Sequence, residues 1–179
     1  MEVEFINNYA LALFDLAEEE ANLEEYRSQI KDLVKIFKEN ERLIELFQEP
    51  LISKETKYKF IDKVFSQFNF NIVNFLKVII NNNRSFYMYR IIKRTLNLLD
   101  RRLNIQEGKL YSAVELTPYQ IEKIRKTIEE DTGSRIEIKT FIEPSLIGGF
   151  KVLLKDDVYD TSLLSKLHNL KNNILLKRR

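Results

Sequence analysis

The distribution of glycine divides this chain of 179 residues into two parts. All four glycines lie after residue 107: Gly108, Gly133, Gly148 and Gly149. The first part is interrupted only by Pro50, the single proline before residue 107. Loops that need a positive φ favour glycine, so a long stretch without it favours helices joined by short connections. We therefore expect two domains, residues 1–107 and residues 108–179, the first of them helical.

Apolar residues recur at helical spacing in six segments of the first part. The segments are 5–17, 23–37, 43–47, 58–65, 72–80 and about 85–105. Asn22 with Glu25 predicts a capping box for the second helix, Ser53 an N-cap for the fourth, and Asn69 or Asn71 an N-cap for the fifth. Short linkers between helices of this length predict an antiparallel six-helix bundle.

Past Gly108 the apolar period changes from 3.6 to two, which indicates strands. Leu110, Ser112, Val114 and Leu116 form the first alternating segment, and Ile136, Ile138 and Ile142 mark the second. Thr117, Pro118 and Gln120 predict a capped helix between them that ends at Gly133. The two strands should be parallel, and a hairpin and a final leucine-rich helix should follow. The fold class is mainly α: a six-helix bundle, then a small α/β (α+β) domain.

A glycine pair interrupts the next strand pattern, in the segment that runs from Glu143 to Phe150. Gly148 and Gly149 indicate a bulge or a close backbone approach. A phosphate cradle is the functional alternative, but neither GxGxxG nor GxxxxGK[ST] is present. Asp160 or Thr161 then offers an N-cap for the final helix. The segment therefore predicts a small sheet without chemistry of its own.

The residues that usually carry chemistry are scarce. Cysteine is absent, and His168 is the only histidine, so a triad has one candidate base and no nucleophile elbow. Asp156, Asp157 and Asp160 lack the spacing of a calcium loop and fit a hairpin turn and a helix cap. We expect no catalytic residue, no cofactor and no metal. With no secretory signal or apolar run long enough to span a bilayer, we expect a soluble intracellular protein.

The segment 72–80 is apolar nearly all round its helix, and the apolar face of the first helix is wide as well. Such a helix is most often the buried centre of its bundle. The alternative is that both helices line a groove for a partner helix. Periodicity alone leaves both interpretations open.

Several short motifs, taken in order, resemble one known family. The most specific is Pro144-Ser145-Leu146-Ile147-Gly148-Gly149-Phe150, followed by Asp160-Thr161-Ser162. Tyr9 to Phe14, Pro50 to Ser53 with Lys57, Asn74 to Leu76 with Asn83-Arg84, and Ser112-Ala113 also match. The chain is similar over nearly its whole length to the delta subunits of bacterial F-type ATP synthases, the counterparts of the mitochondrial oligomycin-sensitivity-conferring protein.

The resemblance implies a non-catalytic stator component at the cytoplasmic face of the cell inner membrane, peripheral to it and bound through the complex. Residues 1–107 would bind the N-terminal helix of a catalytic-head alpha subunit, and residues 108–179 the b subunits of the peripheral stalk. The family's groove maps onto Tyr9, Ala10, Leu13, Phe14, Phe75, Leu76 and Ile79. Its C-terminal motif maps onto Pro144, Leu146, Ile147, Gly148, Gly149, Asp160 and Ser162. Leu13→Asp is then expected to weaken head binding and to leave the helices intact.

A different function class remains as the alternative, a helical RNA-binding or antitermination-type adaptor. Its support is the basic sixth helix, with Arg84, Arg90, Lys93, Arg94, Arg101 and Arg102 near Phe86, Tyr87 and Tyr89. The charge balance is against it, because the two parts carry about −1 and +3, far from the strong basic field that nucleic-acid binding uses. The family resemblance implies no nucleic acid.

Overall fold

The structure, a computed structural model, describes residues 2–155 and 157–160. The chain separates into two compact units, of which the first ends at Leu103 and the second begins at Asn104. The sequence placed this boundary after residue 107. The first strand begins earlier than its alternating pattern indicated, at Ile105, where it pairs with Arg135.

The first unit contains six α-helices within the described residues, as predicted. They are α1 (Glu2–Glu19), α2 (Leu23–Glu39), α3 (Glu41–Gln48), α4 (Lys54–Val64), α5 (Phe70–Asn81) and α6 (Met88–Arg102). A 3-10 turn, Ser85–Tyr87, precedes α6. The sixth helix is thus shorter than the predicted 85–105. Asn104 has a φ of 54°, a left-handed conformation that cannot continue an α-helix.

Side-chain caps explain where two of these helices begin. Ser53 Oγ accepts a hydrogen bond from Thr56 N at 3.3 Å, and Asn69 Oδ1 accepts one from Asn71 N at 2.8 Å. The prediction of a capping box at the start of α2 is wrong. Asn22 makes no side-chain bond to the helix backbone, and its amide donates to the Glu25 carboxylate instead. Its φ of −124° and ψ of 39° differ from the extended conformation of a capping residue.

Aromatic rings fill the centre of the first unit. Tyr26, Phe37, Phe47 and Phe65 are each at most 1% exposed. The ring of Phe37 lies 6.4 Å from that of Phe47 and 6.2 Å from that of Phe65. Tilted and edge-on pairs at these distances add to the burial energy of the rings.

A buried ion pair joins α2 to α6 within this core. Arg27 Nε donates to Asp100 Oδ1 at 2.6 Å, and the two side chains are only 6% and 16% exposed. Charges this far from water are stable only with close partners, because their hydration is lost. The pair therefore fixes the register of α2 against α6.

Replacing Arg27 by Met should lower the free energy of unfolding by about 3 kcal/mol, because Asp100 then stays largely buried without the guanidinium. Arg102→Met is the matched control. Arg102 Nε donates to Glu18 Oε1 at the same 2.6 Å, but its side chain is 61% exposed, so the loss should be at most about 1 kcal/mol. Urea unfolding of both variants measures the two losses in free energy of unfolding. Equal losses would contradict the prediction that the buried pair contributes more.

The second unit is a four-stranded sheet with one helix described. Its elements are β1 (Ile105–Ser112), α7 (Pro118–Thr132), β2 (Arg135–Ile142), a 3-10 turn (Pro144–Leu146), β3 (Phe150–Leu153) and β4 (Val158–Asp160). The strand order is β2-β1-β3-β4. β1 and β2 are parallel and β3 and β4 form an antiparallel hairpin, which confirms both predictions. Val114 and Leu116 lie beyond β1, so the first strand is shifted from its predicted place.

Helix α7 follows the predicted signals closely. Thr117 and Gln120 form the complete capping box, Pro118 occupies the first turn, and Gly133 ends the helix with a φ of 65°. The apolar face of the sheet forms a small core with this helix through Leu110, Ile128, Ile136, Val152 and Leu154. Gly108 lies in the same core, where a Cβ would approach Leu154 Cδ2 to 3.0 Å. This glycine serves close packing.

The glycine pair does not form a bulge inside a strand, as the sequence suggested. β3 begins only at Phe150, and the residues before it form a compact turn. Ile147 has a φ of 62°, while Gly148 N donates to Leu146 O at 2.6 Å, so Ile147 is the central residue of a γ-turn. Gly149 follows with a φ of 78°, which glycine adopts without strain. The 3-10 turn that begins at Pro144 follows the end of β2. The two glycines then allow the backbone to reverse direction before β3.

The predicted final helix, with Ser162 and His168, lies outside the described residues. Asp160, proposed as its cap, is described and is the last residue of β4. Asp157 O accepts a hydrogen bond from Leu154 N at 2.9 Å, which closes the hairpin between β3 and β4.

Candidate partner-binding groove

One flank of α1 faces α5. Tyr9 marks it, because its ring lies 6.4 Å from that of Phe75 and its hydroxyl accepts a hydrogen bond from Asn82 Nδ2 at 2.7 Å. Successive residues at spacings of three and four from Tyr9 lie on the same flank. They are Phe5, Ala12 and, four residues beyond Ala12, Leu16, all at least partly exposed.

The corresponding flank of α5 carries Asn71, Phe75, Val78 and Asn82, again at spacings of three and four. The opposite flank is held by α4, where Lys77 Nζ lies 2.5 Å from Asp62 Oδ1. α1 packs mainly on α6 and α5 mainly on α4. The two helices therefore meet each other through side chains, and the space between them is the surface that we call the α1–α5 groove.

The two ends of this groove differ in charge. At one end Glu20 Oε1 accepts from Asn71 Nδ2 at 2.5 Å and Glu20 Oε2 from the Tyr26 hydroxyl at 2.6 Å. At the other end the Arg84 guanidinium lies 4.6 Å above the ring of Phe5, a cation–π contact. Since Glu20 follows α1 while Asn71 begins α5, the helices run antiparallel along the groove. The groove thus has an acidic end and a basic end.

Of the seven predicted groove residues, four are buried in the structure and two line the groove. Ala10, Leu13, Leu76 and Ile79 are at most 1% exposed and belong to the interior. Tyr9 and Phe75 are partly exposed and line the groove. Leu13→Asp would place a carboxylate in the core, so the expectation that it leaves the helices intact is wrong.

Phe14 lies on the other flank of α1, toward α6. Its neighbours at helical spacing are Asn7 and Glu18, and these accept hydrogen bonds from Arg94 and Arg102 of α6, each through Nε, at 2.7 Å and 2.6 Å. Phe14 is half-buried there against the core. Its assignment to the groove is therefore wrong, because apolar character alone does not show which neighbour a flank meets.

Sequence reasoning missed Phe5, Ala12, Leu16 and Val78 as groove residues. The signal for the α1 group was the spacing Phe5, Tyr9, Ala12, Leu16, a single row along the helix. Val78 is 47% exposed on α5, and it lies on the same flank as the partly exposed Phe75. Exposed apolar residues that share one flank are candidates for a partner contact, which a single exposed residue is not.

The described residues contain no group of His, Cys, Asp or Glu side chains arranged to hold a metal ion. What the groove offers is apolar and aromatic surface between two helices, with polar groups at its ends. Surfaces of this kind are one of the recurring ways in which proteins recognise the apolar face of an amphipathic helix. No helix among the described residues is long and apolar enough to cross a membrane.

The basic residues of α6 and the turn before it are mostly engaged within the first unit. Arg90 pairs with Glu2, Arg94 with Asn7, and Arg102 with Glu18. Arg84 lies over Phe5, whose ring is also 4.8 Å from that of Tyr87. These contacts occupy groups that RNA binding would need, and nothing in this surface supports the RNA-binding alternative.

Comparison with known proteins identifies the family. The model of the family described as ATP synthase delta (OSCP) subunit matches residues 6–174. The chain belongs to this family. Among its relatives, the ATP synthase subunit delta of Mycoplasma mobile is 35% identical over 170 residues, 94% of each chain. That of Bacillus cytotoxicus is 30% identical over 171 residues, 95% of each chain.

A solved structure shares the fold. A chain in the cryo-electron microscopy structure of the Toxoplasma gondii mitochondrial ATP synthase hexamer aligns with a TM-score of 0.67 at 17% identity, covering 95% of this chain and 97% of that one. The predicted fold class, a helical bundle followed by a small α/β domain, is confirmed. As a member of the family of ATP synthase delta subunits, the chain is a component of the peripheral stalk.

Burial and the hydrogen bond to Glu20 raise the pKa of Tyr26 to about 12. Since the folded state holds this proton more tightly, its contribution to stability is complete below about pH 10 and declines as the pH rises toward 12. Tyr26→Phe should lower the free energy of unfolding by about 1 kcal/mol at pH 7. The difference in free energy of unfolding between wild type and variant should become smaller between pH 10 and pH 12. Urea unfolding at pH 10 and at pH 12 measures this difference. A constant difference would contradict this linkage.

Proposed function

We propose that this protein is a non-catalytic stator subunit that links the catalytic head of an F-type ATP synthase to the b subunits of its peripheral stalk. The first unit binds the N-terminal helix of an alpha subunit in the α1–α5 groove, and the second unit binds the ends of the b subunits. The complex holds it at the cytoplasmic face of the cell membrane. The half-exposed apolar flanks of α1 and α5 are the observation that carries this proposal.

A partner helix suits this groove for physical reasons. Tyr9 and Phe75 keep part of their rings accessible while their remaining atoms pack on the core, so they are rigid and lose little entropy on binding. Val78 adds an apolar contact that no described neighbour covers fully. An amphipathic helix with apolar residues at spacings of three and four would cover all three.

The charges at the groove ends favour one orientation of that helix. The end with Glu20 favours basic side chains, and the end with Arg84 favours acidic ones. Such charges add little to affinity at the rim of an interface, but they reject the reversed orientation. We propose that the bound helix carries acidic residues toward Arg84 and basic residues toward Glu20.

Three exposed apolar residues of the second unit stand near the carboxyl end of β1 along the chain or in the sheet, and we call them the apolar cluster. Ser112, the last residue of β1, pairs with Ile142 on one side and Phe150 on the other. Val114 follows Ser112 by two residues and Ile147 precedes Phe150 by three, and Val114, Ile142 and Ile147 are 61–66% exposed. Exposed apolar residues near one end of a sheet favour a protein contact. We propose this cluster as the contact for the b subunits.

The backbone at Ile147 supports the same proposal. A β-branched residue at a positive φ costs of order 1–3 kcal/mol relative to glycine or asparagine, yet an isoleucine occupies this position with its side chain toward solvent. Such strain persists at surfaces where the side chain has a use. The proposed use is contact with the stalk.

Two moderate contacts on one chain suffice for a stator. Once one unit is bound, the other binds at a high effective concentration, so the head and the stalk remain connected without extreme affinity at either contact. The connection resists the torque that the rotor applies to the head during ATP synthesis.

Val78→Asp tests the groove, because it places a charge on the proposed contact surface at a position where the folded chain tolerates it. Binding of the isolated catalytic head to the full chain should weaken by about tenfold or more, the equivalent of one lost buried apolar contact. Leu11→Asp is the matched control, since Leu11 is 43% exposed against 47% for Val78 but lies on the α6 side of α1. Calorimetric titration measures both variants. Equal losses, or none, would contradict the groove.

Ile147→Asp tests the stalk contact in the same way. Aspartate tolerates a positive φ better than isoleucine, so the variant should fold at least as well as the wild type. Its affinity for the soluble part of the b subunits should fall by about tenfold. Val158→Asp, at a residue that is 62% exposed in β4, should leave the affinity unchanged. If both variants bind b subunits normally, the stalk contacts another surface.

A further inference from the structure

A second cleft in the first unit lies between the α3–α4 loop and the connection from α5 to α6. Its volume is about 390 Å³, and Pro50, Ser53, Lys54, Lys57, Asn83 and Phe86 are among the residues that line it. It brings together two stretches that are distant in the sequence and that the proposed groove does not use. We call it the lysine cleft.

Lys57 is the unusual feature of this cleft, because a lysine only 6% exposed normally has an acidic partner. Its ammonium donates to the backbone oxygen of Glu49 at 2.7 Å. Among the residues that the structure describes, no carboxylate lies within ion-pair distance of it. The nearby carboxylate of Glu49 accepts instead from the amide of Leu51 at 3.2 Å.

Lys54, one turn before Lys57 in α4, makes a similar contact across the cleft, where its ammonium donates to the backbone oxygen of Asn81 in α5 at 2.6 Å. Both acceptors lie at the C-terminal ends of helices, α3 and α5, whose dipoles each carry about half a negative charge. Capping therefore accounts for the position of the lysines but neutralises only about one of their two charges. The N-terminus of α4, which begins at Lys54 after the cap Ser53, adds a positive end to the same cleft.

Exposed apolar side chains border the cleft on two sides. Phe86, which lines one side, is 66% exposed, and Leu51, which stands between the lining residues Pro50 and Ile52 on the other side, is 92% exposed. A free inorganic anion would gain nothing from these side chains, whereas a protein segment would cover them. A positive interior below an apolar rim fits a segment that combines an acidic side chain with apolar neighbours.

We propose that the lysine cleft is a second docking site, which takes a segment of another ATP synthase subunit. The segment places a carboxylate against the ammonium groups of Lys57 and Lys54 and an apolar side chain between Leu51 and Phe86. This site is distinct from the α1–α5 groove, and it rests on the proposed function only in that its partner belongs to the same complex.

The test replaces Phe86 by the photoreactive residue p-benzoylphenylalanine in the full chain, assembled into the complete ATP synthase. Irradiation should cross-link it to one segment of another subunit, and mass spectrometry should find an aspartate or glutamate beside the linked residue. Photoreactive replacement of Phe70, which is 74% exposed on α5, is the matched control and should not reach that segment.

Two further variants separate the charge from the apolar rim. Lys57→Met removes the buried charge, and the cross-link yield at limiting concentration should fall by about tenfold, as for a lost charge-assisted hydrogen bond. Leu51→Ser should reduce it as well, and at 92% exposure this change cannot unfold the bundle. Lys57→Arg should retain most of the yield.

The outcomes distinguish this proposal from the stator function. An intact complex without a cross-link at position 86 overturns the docking site alone, and so does a link to a segment without acidic residues. Yields unchanged in both Lys57→Met and Leu51→Ser overturn it too. Saturable binding of inorganic phosphate in the cleft, without a cross-link, would show a small-anion site instead. Failure of the unsubstituted chain to join the complex would overturn the stator function, and this docking site with it.

Discussion

The first unit depends on α6, the helix onto which both α1 and α2 pack. One face of α6 is buried along its whole length, and it includes Ile91, Ile92, Thr95 and Leu99. The ion pair between Arg27 and Asp100 fixes α2 on this face, because neither charge can leave its partner without losing hydration. Because the buried residues of α1 pack on α6, the other apolar flank of α1 contacts α5 only through side chains. The groove therefore results from the packing of α1 on α6 rather than on α5.

Much of the fold could be predicted from local signals. Ser53, Asn69, Thr117 and Gly133 cap helices where the sequence indicated, and the parallel pair with its hairpin follows from the change of period. Local signals failed where a neighbour decides the outcome. Asn22 has the right residue type for a cap, but its backbone conformation is set by the turn at Ala21, whose φ is 51°. Likewise, periodicity placed Phe14 on an apolar face without showing that the face turns toward α6.

The candidate sites, too, could be predicted only in part, because they depend on how neighbouring helices pack. The family motifs predicted a groove between α1 and α5, yet four of the seven residues assigned to it are core residues. A helix with apolar residues all round gives no sign of which of them remain accessible, because accessibility is a property of the packed bundle. For the lysine cleft, the sequence marked Pro50 to Ser53 with Lys57 only as a family motif and did not indicate a cleft. Lys57 becomes unusual only when its burial and its backbone acceptor are known.

Three asparagines at the end of α5, Asn81 to Asn83, lie between the groove and the cleft. Asn82 donates to Tyr9 in the groove, while the backbone oxygen of Asn81 accepts from Lys54 in the cleft. Asn83, with a φ of 55°, then fixes the reversal of the chain. Because this segment is anchored on both sides, a change in its position at one site would act on the other. If occupation of the groove shifts this segment, the affinity of the cleft changes by some factor, and occupation of the cleft must change the affinity of the groove by the same factor.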